Sequence, residues 1–302
     1  MSDADAKPDR RLHAYRADLA DAALKGVVEA ERYRAPTSAR VIATNTGVYR
    51  DPSQTSEMEN EALANEQISV FDRADGWAWV QLARDSYVGY IREAAITETP
   101  ANQATHIVTA PKSFVFAEAS IKSRVVAPIF LNTMFAVTPD ADAAKAGFLK
   151  LANDKGFVCV QHAADADAVA GDYVNIAQSF CYAPYLWGGV TYHGLDCSGL
   201  IQMALMAAGI PCPRDTDMQE QALGRSVDAG PGSMRRGDLV FWTGHVAMML
   251  DGTHMIHANA HHMLVTIEPA DAVIGRAAGA GSKITSVRRL DGLSIADATL
   301  KA

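Results

Sequence analysis

Apolar residues recur along this chain with two different periods, and the changes of period divide it. Between residues 12 and 34, Leu19, Ala23, Val27 and Ala30 fall three or four apart among charges, which predicts an amphipathic helix with a break at Gly26. From Val41 to about Ile96 the pattern shortens. Val41-Ile-Ala, Gly47-Val-Tyr-Arg, Ile68-Ser-Val-Phe, Trp77-Ala-Trp-Val-Gln-Leu and Tyr87-Val-Gly-Tyr-Ile read as short strands between turns, the content of a small barrel. The next stretch repeats it. Val48-Tyr49 recurs as Val115-Phe116, Leu82-Ala-Arg-Asp85 as Leu151-Ala-Asn-Asp154, and Gly89-Tyr-Ile91 as Gly156-Phe-Val158, at offsets of 67, 69 and 67 residues. This second copy is degenerate, with a looser, helix-prone insert between Pro139 and Lys150.

Beyond it the helical period returns. Asp165 to Phe180 reads as a helix, and Leu200, Met203, Ala204, Ala207 and Ala208 mark another that Gly209 and Pro211 stop. Leu239 to Ile267 then reads as an antiparallel sheet, with Ile284 to Leu290 as a last strand. The division is a helical lead-in (1–35), a first barrel (36–100), a second barrel (101–163) and an α+β unit (164–302), a multidomain chain of two small all-β barrels and one mixed unit.

Composition narrows the function classes. With a formal charge of −8, the chain is an unsuitable partner for nucleic acid or an anionic membrane surface. No apolar run approaches the ~20 residues of a membrane span, and the first residues lack the apolar core of a secretory signal. The four cysteines, Cys159, Cys181, Cys197 and Cys212, show no CxxC spacing, which suits a reducing compartment. A cytoplasmic location is expected; oligomeric state is not encoded in any of these features.

Chemistry concentrates in Tyr185-Leu-Trp-Gly-Gly-Val-Thr-Tyr-His-Gly-Leu-Asp-Cys-Ser-Gly-Leu200, where a Gly-rich turn delivers Cys197 to the start of a helix. There the unpaired N–H groups and the helix dipole favour a thiolate and await an oxyanion. A nucleophile needs a base. His245 and His257 lie on two segments joined by Asp251-Gly252, a hairpin signal that puts them on neighbouring strands, one to take the thiol proton and one to orient the first. His254, His261 and His262 crowd His257, but no second cysteine is spaced to complete a tetrahedral zinc site, so neither metal nor cofactor is expected. His193 reads as an exposed turn residue, and Cys159, Cys181 and Cys212 as small apolar packing.

Asp196-Cys-Ser-Gly-Leu200, Pro213-Arg-Asp-Thr-Asp-Met-Gln219, Arg236-Gly-Asp-Leu-Val-Phe241, His245-Val and Ile256-His-Ala258 occur in that order within roughly 60 residues. Together they resemble the NlpC peptidases, papain-like bacterial cysteine enzymes that cut peptidoglycan peptides. The region around Gly76-Trp-Ala-Trp-Val resembles a bacterial SH3-like domain, so the fold class implied is two SH3-like barrels followed by an α+β papain-like cysteine peptidase domain. The resemblance implies Cys197 as nucleophile, His245 as general base, His257 as its orienting partner and Tyr185 as a hydroxyl for the oxyanion.

For substrate binding the resemblance points to Asp196, which fits two roles, helix cap and partner of a substrate ammonium, and to Tyr87 of the first barrel, with an acid from Glu57, Glu59 or Glu61 beside it. Ser198 and Trp187 are placed with them. Arg214 suits either a substrate carboxylate or an ion pair with Asp215 or Asp217. The Trp77, Trp79, Tyr87 and Tyr90 cluster otherwise reads as barrel core. The function implied is hydrolysis of the γ-D-glutamyl bond to diaminopimelate or lysine in murein tripeptides and tetrapeptides that begin with a free L-Ala. Two other readings stand beside it, an acyl- or amidotransferase on the same core and a non-catalytic cell-wall peptide-binding protein.

Overall fold

Strands from Thr37 to Thr97 form one seven-stranded antiparallel sheet, ordered Met58–Leu63, Asn45–Tyr49, Val88–Arg92, Trp77–Leu82, Gln67–Ala74, Thr37–Val41 and Ile96–Thr97. The computed structural model describes residues 7–99, 102–152, 154–228, 230 and 232–290. Within this sheet Asp75 and Gly76 take positive φ (52° and 77°) and form the tight turn between two of its longest strands, the geometry that matches strand twist. Alternate side chains, among them Val41, Val48, Ile68, Val80, Leu82, Tyr87 and Ile91, fill the interior.

The second unit is built from two smaller sheets. Its five-stranded sheet runs Val125–Phe130, Lys112–Phe116, Phe157–Cys159, Phe148–Leu151, Val137–Thr138, and a three-stranded sheet places His106–Val108 between Met134–Phe135 and Ala163–Asp165. Val108, Val115, Ile129, Phe135, Leu151 and Val158 make its core. The loose insert contains the short helix α1 (Ala141–Lys145), whose start is capped by Asp140 accepting from the Ala143 N–H.

The expected helix over residues 12–34 is not formed; its residues 1–6 counterpart in the lead-in lies outside the described residues. The segment runs as short extended pieces and one 3-10 turn, Ala22–Leu24. The reason is tertiary. Leu19 and Ala14 pack on Phe71 and Trp79, and the Arg16 guanidinium lies 4.5 Å from the centroid of the Trp79 ring while bonding Asp72 and Tyr90. A helix would turn Ala14 and Leu19, five residues apart, to different faces, whereas the extended strap applies both to one aromatic surface.

In the third unit the helix read from Asp165 begins only at α2 (Tyr173–Ser179), because the Asp172 carboxylate accepts from Val174 and Asn175 N–H and sets the cap there. Helix α3 (Cys197–Ala207) is the centre of the molecule. Leu200, Ile201, Met203 and Leu205 are fully buried, each stabilising by about 1.5–3 kcal/mol relative to exposure. It ends where Gly209 takes φ +74°. Gly199 admits no side chain, since a Cβ would lie 2.3 Å from the Gly189 carbonyl oxygen, so Gly199→Ala would push the Gly-rich turn off the helix.

Helix α4 (Thr216–Ala222) leads to a six-stranded antiparallel sheet ordered Arg225–Val227, Ile284–Arg289, Leu239–Trp242, His245–Met249, His254–Asn259, Leu264–Pro269, with α5 (Ala270–Gly279) before the final strand. Helices α2 to α4 precede the long strands of this sheet and α5 interrupts it, and the end of the expected α+β unit, residues 291–302, lies outside the described residues. Among the described residues, no helix is long and apolar enough to cross a membrane.

Candidate active site

Asp196 is the N-cap of α3. Its Oδ1 accepts from the Gly199 N–H (2.7 Å), Ser198 Oγ (3.2 Å) and Arg214 Nη1 (2.9 Å), and its Oδ2 from the Gly188 N–H (2.8 Å) and Arg214 Nη2 (2.5 Å). Gly188 sits at φ +78°, with room for no Cβ against the Met58 carbonyl of the first unit. One buried carboxylate thus joins the Gly-rich turn, the helix start and a buried guanidinium, and Cys197 follows it rigidly.

Arg214 is only 1% exposed. Its ion-pair partner is Asp196 and not the neighbouring Asp215 or Asp217, which are taken by Arg11 of the N-terminal strap at 2.8 and 2.7 Å. Arg214 also donates to Ser198 Oγ and, through Nε, to Asn60 Oδ1 of the first unit. Arg214 and Ser198 therefore face Asp196 and one another. Both oxygens of Asp196 are met by these donors, so the cap role is filled and an ammonium would have to displace a donor to bind there.

Cys197 Sγ lies 3.9 Å from Thr216 Oγ1 and 4.0 Å from the Gly244 carbonyl, while the Val246 N–H is directed at the sulfur. The backbone on either side of His245 thus brackets the thiol. His245 Nε2 is 2.8 Å from His257 Nδ1, which leaves His245 Nδ1 for Cys197. Behind them His257 Nε2 meets Glu268 Oε1 at 2.9 Å, and Glu268 is forked by Arg276 at 2.8 and 2.9 Å. The hairpin read at Asp251-Gly252 provides this register, with Met249 opposite Met255 and Met248 opposite Ile256.

Electrostatically the pair rests uncharged. Burial, with Asp196 adjacent, pushes the Cys197 thiol up to about 11, and burial, with His257 next, pulls His245 down to about 4. The thiolate expected from the helix start is not the resting state: desolvation and the Asp196 charge outweigh the dipole. Tyr185 is also pushed above its ordinary value, by burial and then by the Cys197 and Asp196 charges, so its hydroxyl keeps its proton and can donate. Trp187 stands 57% exposed beside this turn.

Tyr87 comes from the first unit and is buried, its hydroxyl donating to Asp215 Oδ2 at 3.2 Å, one residue from the Thr216 that touches the sulfur. The structure also separates the three glutamates. Glu57 is exposed on Arg50; Glu61 is buried and accepts from the Val190 N–H and Asn45; Glu59, bonded to Arg50, is the one whose charge acts on the Tyr87 hydroxyl, after that of Asp215. His193 is exposed, edge-on to Phe130. Cys159 and Cys181 are half-buried and Cys212 buried, all as free thiols.

Against this geometry stand the similarities to known proteins. Residues 182–276 match the NlpC/P60 family, and residues 48–96 match the bacterial dipeptidyl-peptidase Sh3 domain. The chain carries an NlpC/P60 domain behind a bacterial SH3 domain. Dipeptidyl-peptidase 6 of Lysinibacillus sphaericus is 27% identical over 252 residues, spanning 78% of this chain and 92% of that protein. A gamma-D-glutamyl-L-lysine dipeptidyl-peptidase of Bacillus cereus is 25% identical over 72% of each. The crystal structure of an NlpC/P60 family protein from Bacillus cereus shares the fold, with a TM-score of 0.69 at 20% identity over 83% of this chain and 99% of that one.

The matched NlpC/P60 segment holds Tyr185, Asp196, Cys197, His245 and His257, and the matched SH3 segment holds Tyr87 and Glu59. Sequence reasoning missed four residues of the NlpC/P60 site and its rim: Thr216, Glu268, Arg276 and Arg11. For Glu268 a signal existed, since strand alternation over Leu264–Pro269 sets Thr266 opposite His257 and Glu268 on the same face. Nothing local points to Arg11.

Proposed function

We propose that this chain is a cysteine peptidase that hydrolyses the γ-D-glutamyl bond to diaminopimelate or lysine in short murein peptides with a free N-terminal L-Ala. The carrying observation is the position of Tyr87: a residue of the SH3 domain reaches Asp215, beside the thiol, and so gives the cleft one closed end. A closed end selects short peptides by where they begin. Support also comes from the names of the relatives, which match through both the SH3 and the catalytic regions. The second β unit is read as a degenerate copy of the first and the catalytic unit as a papain-like core.

In the proposed reaction the Cys197 thiol gives its proton to His245 Nδ1 as Sγ attacks the γ-carbonyl carbon. The oxyanion that forms meets N–H groups at the head of α3 and the Tyr185 hydroxyl. Collapse breaks the C–N bond, His245 returns the proton to the departing amine, and a thioester remains. Water, deprotonated by His245, then attacks the thioester; the peptide leaves as a carboxylate and the thiol is restored. With Asp196 filled, the carboxylates beside Tyr87 that can take the L-Ala ammonium are Asp215 and Glu59, whose side chains keep 22% and 16% exposure. Recycling of cell-wall fragments inside the cell is the proposed setting.

The test compares kcat/KM for L-Ala-γ-D-Glu-diaminopimelate with its N-acetylated form, products identified by mass spectrometry. Acetylation removes the ammonium and its charged hydrogen bond to these part-exposed carboxylates, costing about 1.5–3 kcal/mol, roughly ten- to a hundredfold in rate. Free diaminopimelate and the L-Ala-D-Glu dipeptide are the expected products. Equal rates for the two peptides would overturn recognition of the amino terminus, and products joined to an added amine would make the chain a transferase.

A further inference from the structure

Glu268 stands at the end of a line of four groups that begins at the thiol. Its Oε1 faces His257 Nε2 at 2.9 Å and Arg276 Nη2 at 2.8 Å; its Oε2 faces Arg276 Nη1 at 2.9 Å and His262 Nε2 at 3.2 Å. Although burial works against the charge, the hydrogen bonds from Arg276, His257 and His262 hold its carboxyl down to about 2. Glu268 is therefore an acceptor on both oxygens at any ordinary pH.

That single fact propagates. A nitrogen facing an ionised carboxylate carries its proton, so His257 has its N–H at Nε2. Neutral His257 then has its lone pair at Nδ1 and can only accept from His245 Nε2, 2.8 Å away. His245 must in turn carry its proton on Nε2, which leaves the lone pair on Nδ1, the nitrogen not engaged by His257 and the one available to take the thiol proton. We propose that Glu268, gripped by Arg276, is the positioning residue that fixes the tautomers of His257 and His245 and so keeps the base pointed at the thiol. Once His245 accepts the thiol proton, the same carboxylate stabilises the imidazolium through His257. Arg276 prevents the proton of His257 from passing to Glu268.

The inference rests on the peptidase reading for its consequence but not for its measurement. Glu268→Gln offers the sharpest perturbation. Arg276 and His257 meet both oxygens of the carboxylate, and an amide has one oxygen for those two places and no charge to hold an imidazolium, so the tautomers of His257 and His245 are no longer fixed and His245 can present an N–H to Cys197. In the full chain, Glu268→Gln is expected to slow iodoacetamide alkylation of Cys197 at neutral pH by roughly 10- to 100-fold, and to lower kcat by a similar factor with KM nearly unchanged. Alkylation involves no peptide, so it reports on the line even where the substrate assignment fails.

Nitrogen-15 NMR of histidine-labelled wild-type chain reads the tautomers directly and depends on no variant. The expected result is an N–H at Nε2 of both His245 and His257. An N–H at Nδ1 of His245 in the wild type overturns the inference. So does unaltered alkylation in a Glu268→Gln variant that melts like the wild type.

Discussion

Replacing Arg214 by methionine tests whether the core of the site is held by charge. Arg214 and Asp196 expose 1% and 8% of their side chains, and the pair shares two hydrogen bonds while Arg214 donates two more, to Ser198 and Asn60. Removing the cation strands a buried carboxylate, which costs about 3–5 kcal/mol. At about 2–4 °C per kcal/mol for chains of 150–250 residues, and less for longer ones, the melting temperature should fall by roughly 5–15 °C. Activity should fall too, because Asp196 positions both Gly188 and the first turn of α3. The double variant Arg214→Met with Asp196→Asn removes both charges and should regain much of the loss, since a buried pair stabilises little over an uncharged replacement. The assays are a thermal melt and kcat/KM for the free tripeptide. A melting temperature within about 2 °C of wild type together with a raised KM alone would refute the reasoning and return Arg214 to the substrate.

Two further outcomes follow from the geometry. Cys197→Ala and His245→Ala should each abolish turnover with the fold retained, while Cys181→Ala is silent and His257→Asn is milder than His245→Ala, since an amide oxygen can still accept from His245 Nε2; product release by mass spectrometry distinguishes them, and swapped severity for the two histidines would reverse their roles. Because the thiol is pushed up to about 11 and His245 down to about 4, the resting pair is neutral between those values, and the thiolate absorbance at about 240 nm, read as the difference between the wild type and Cys197→Ala, should be negligible at pH 7 and grow only as the pH rises toward that of the thiol. A full thiolate absorbance already present at pH 6 would show a preformed thiolate–imidazolium pair.

Local pattern and chemistry made much of this legible. Helix α3 announces itself by its apolar spacing and Gly209 stop, and Cys197, His245 and His257 each sit in a motif a few residues long. What escaped depends on partners distant in sequence. Leu19 and Arg16 have helical neighbours on paper, but Trp79 and Asp72 decide their conformation. Arg214 was weighed against the acids beside it, yet its partner lies 18 residues earlier, across the turn that α3 and α4 create. The thiol's resting state also escaped, because a helix start is visible in sequence and the depth of its burial is not. Glu268 needed a register between strands, which alternation indicates only once the pairing is known.

The strand Ile284–Arg289 lies inside the catalytic sheet, between Arg225–Val227 and Leu239–Trp242, although it is the last described strand of the chain. During synthesis, then, the strand that leads into His245 waits with one bare edge until residue 289 has been made. Arg11, at the other extremity, closes the rim beside Thr216. Loss of Ile284–Arg289 would therefore leave Leu239–Trp242, the strand that leads into His245, with an unpaired apolar edge, a surface open to strand-to-strand association.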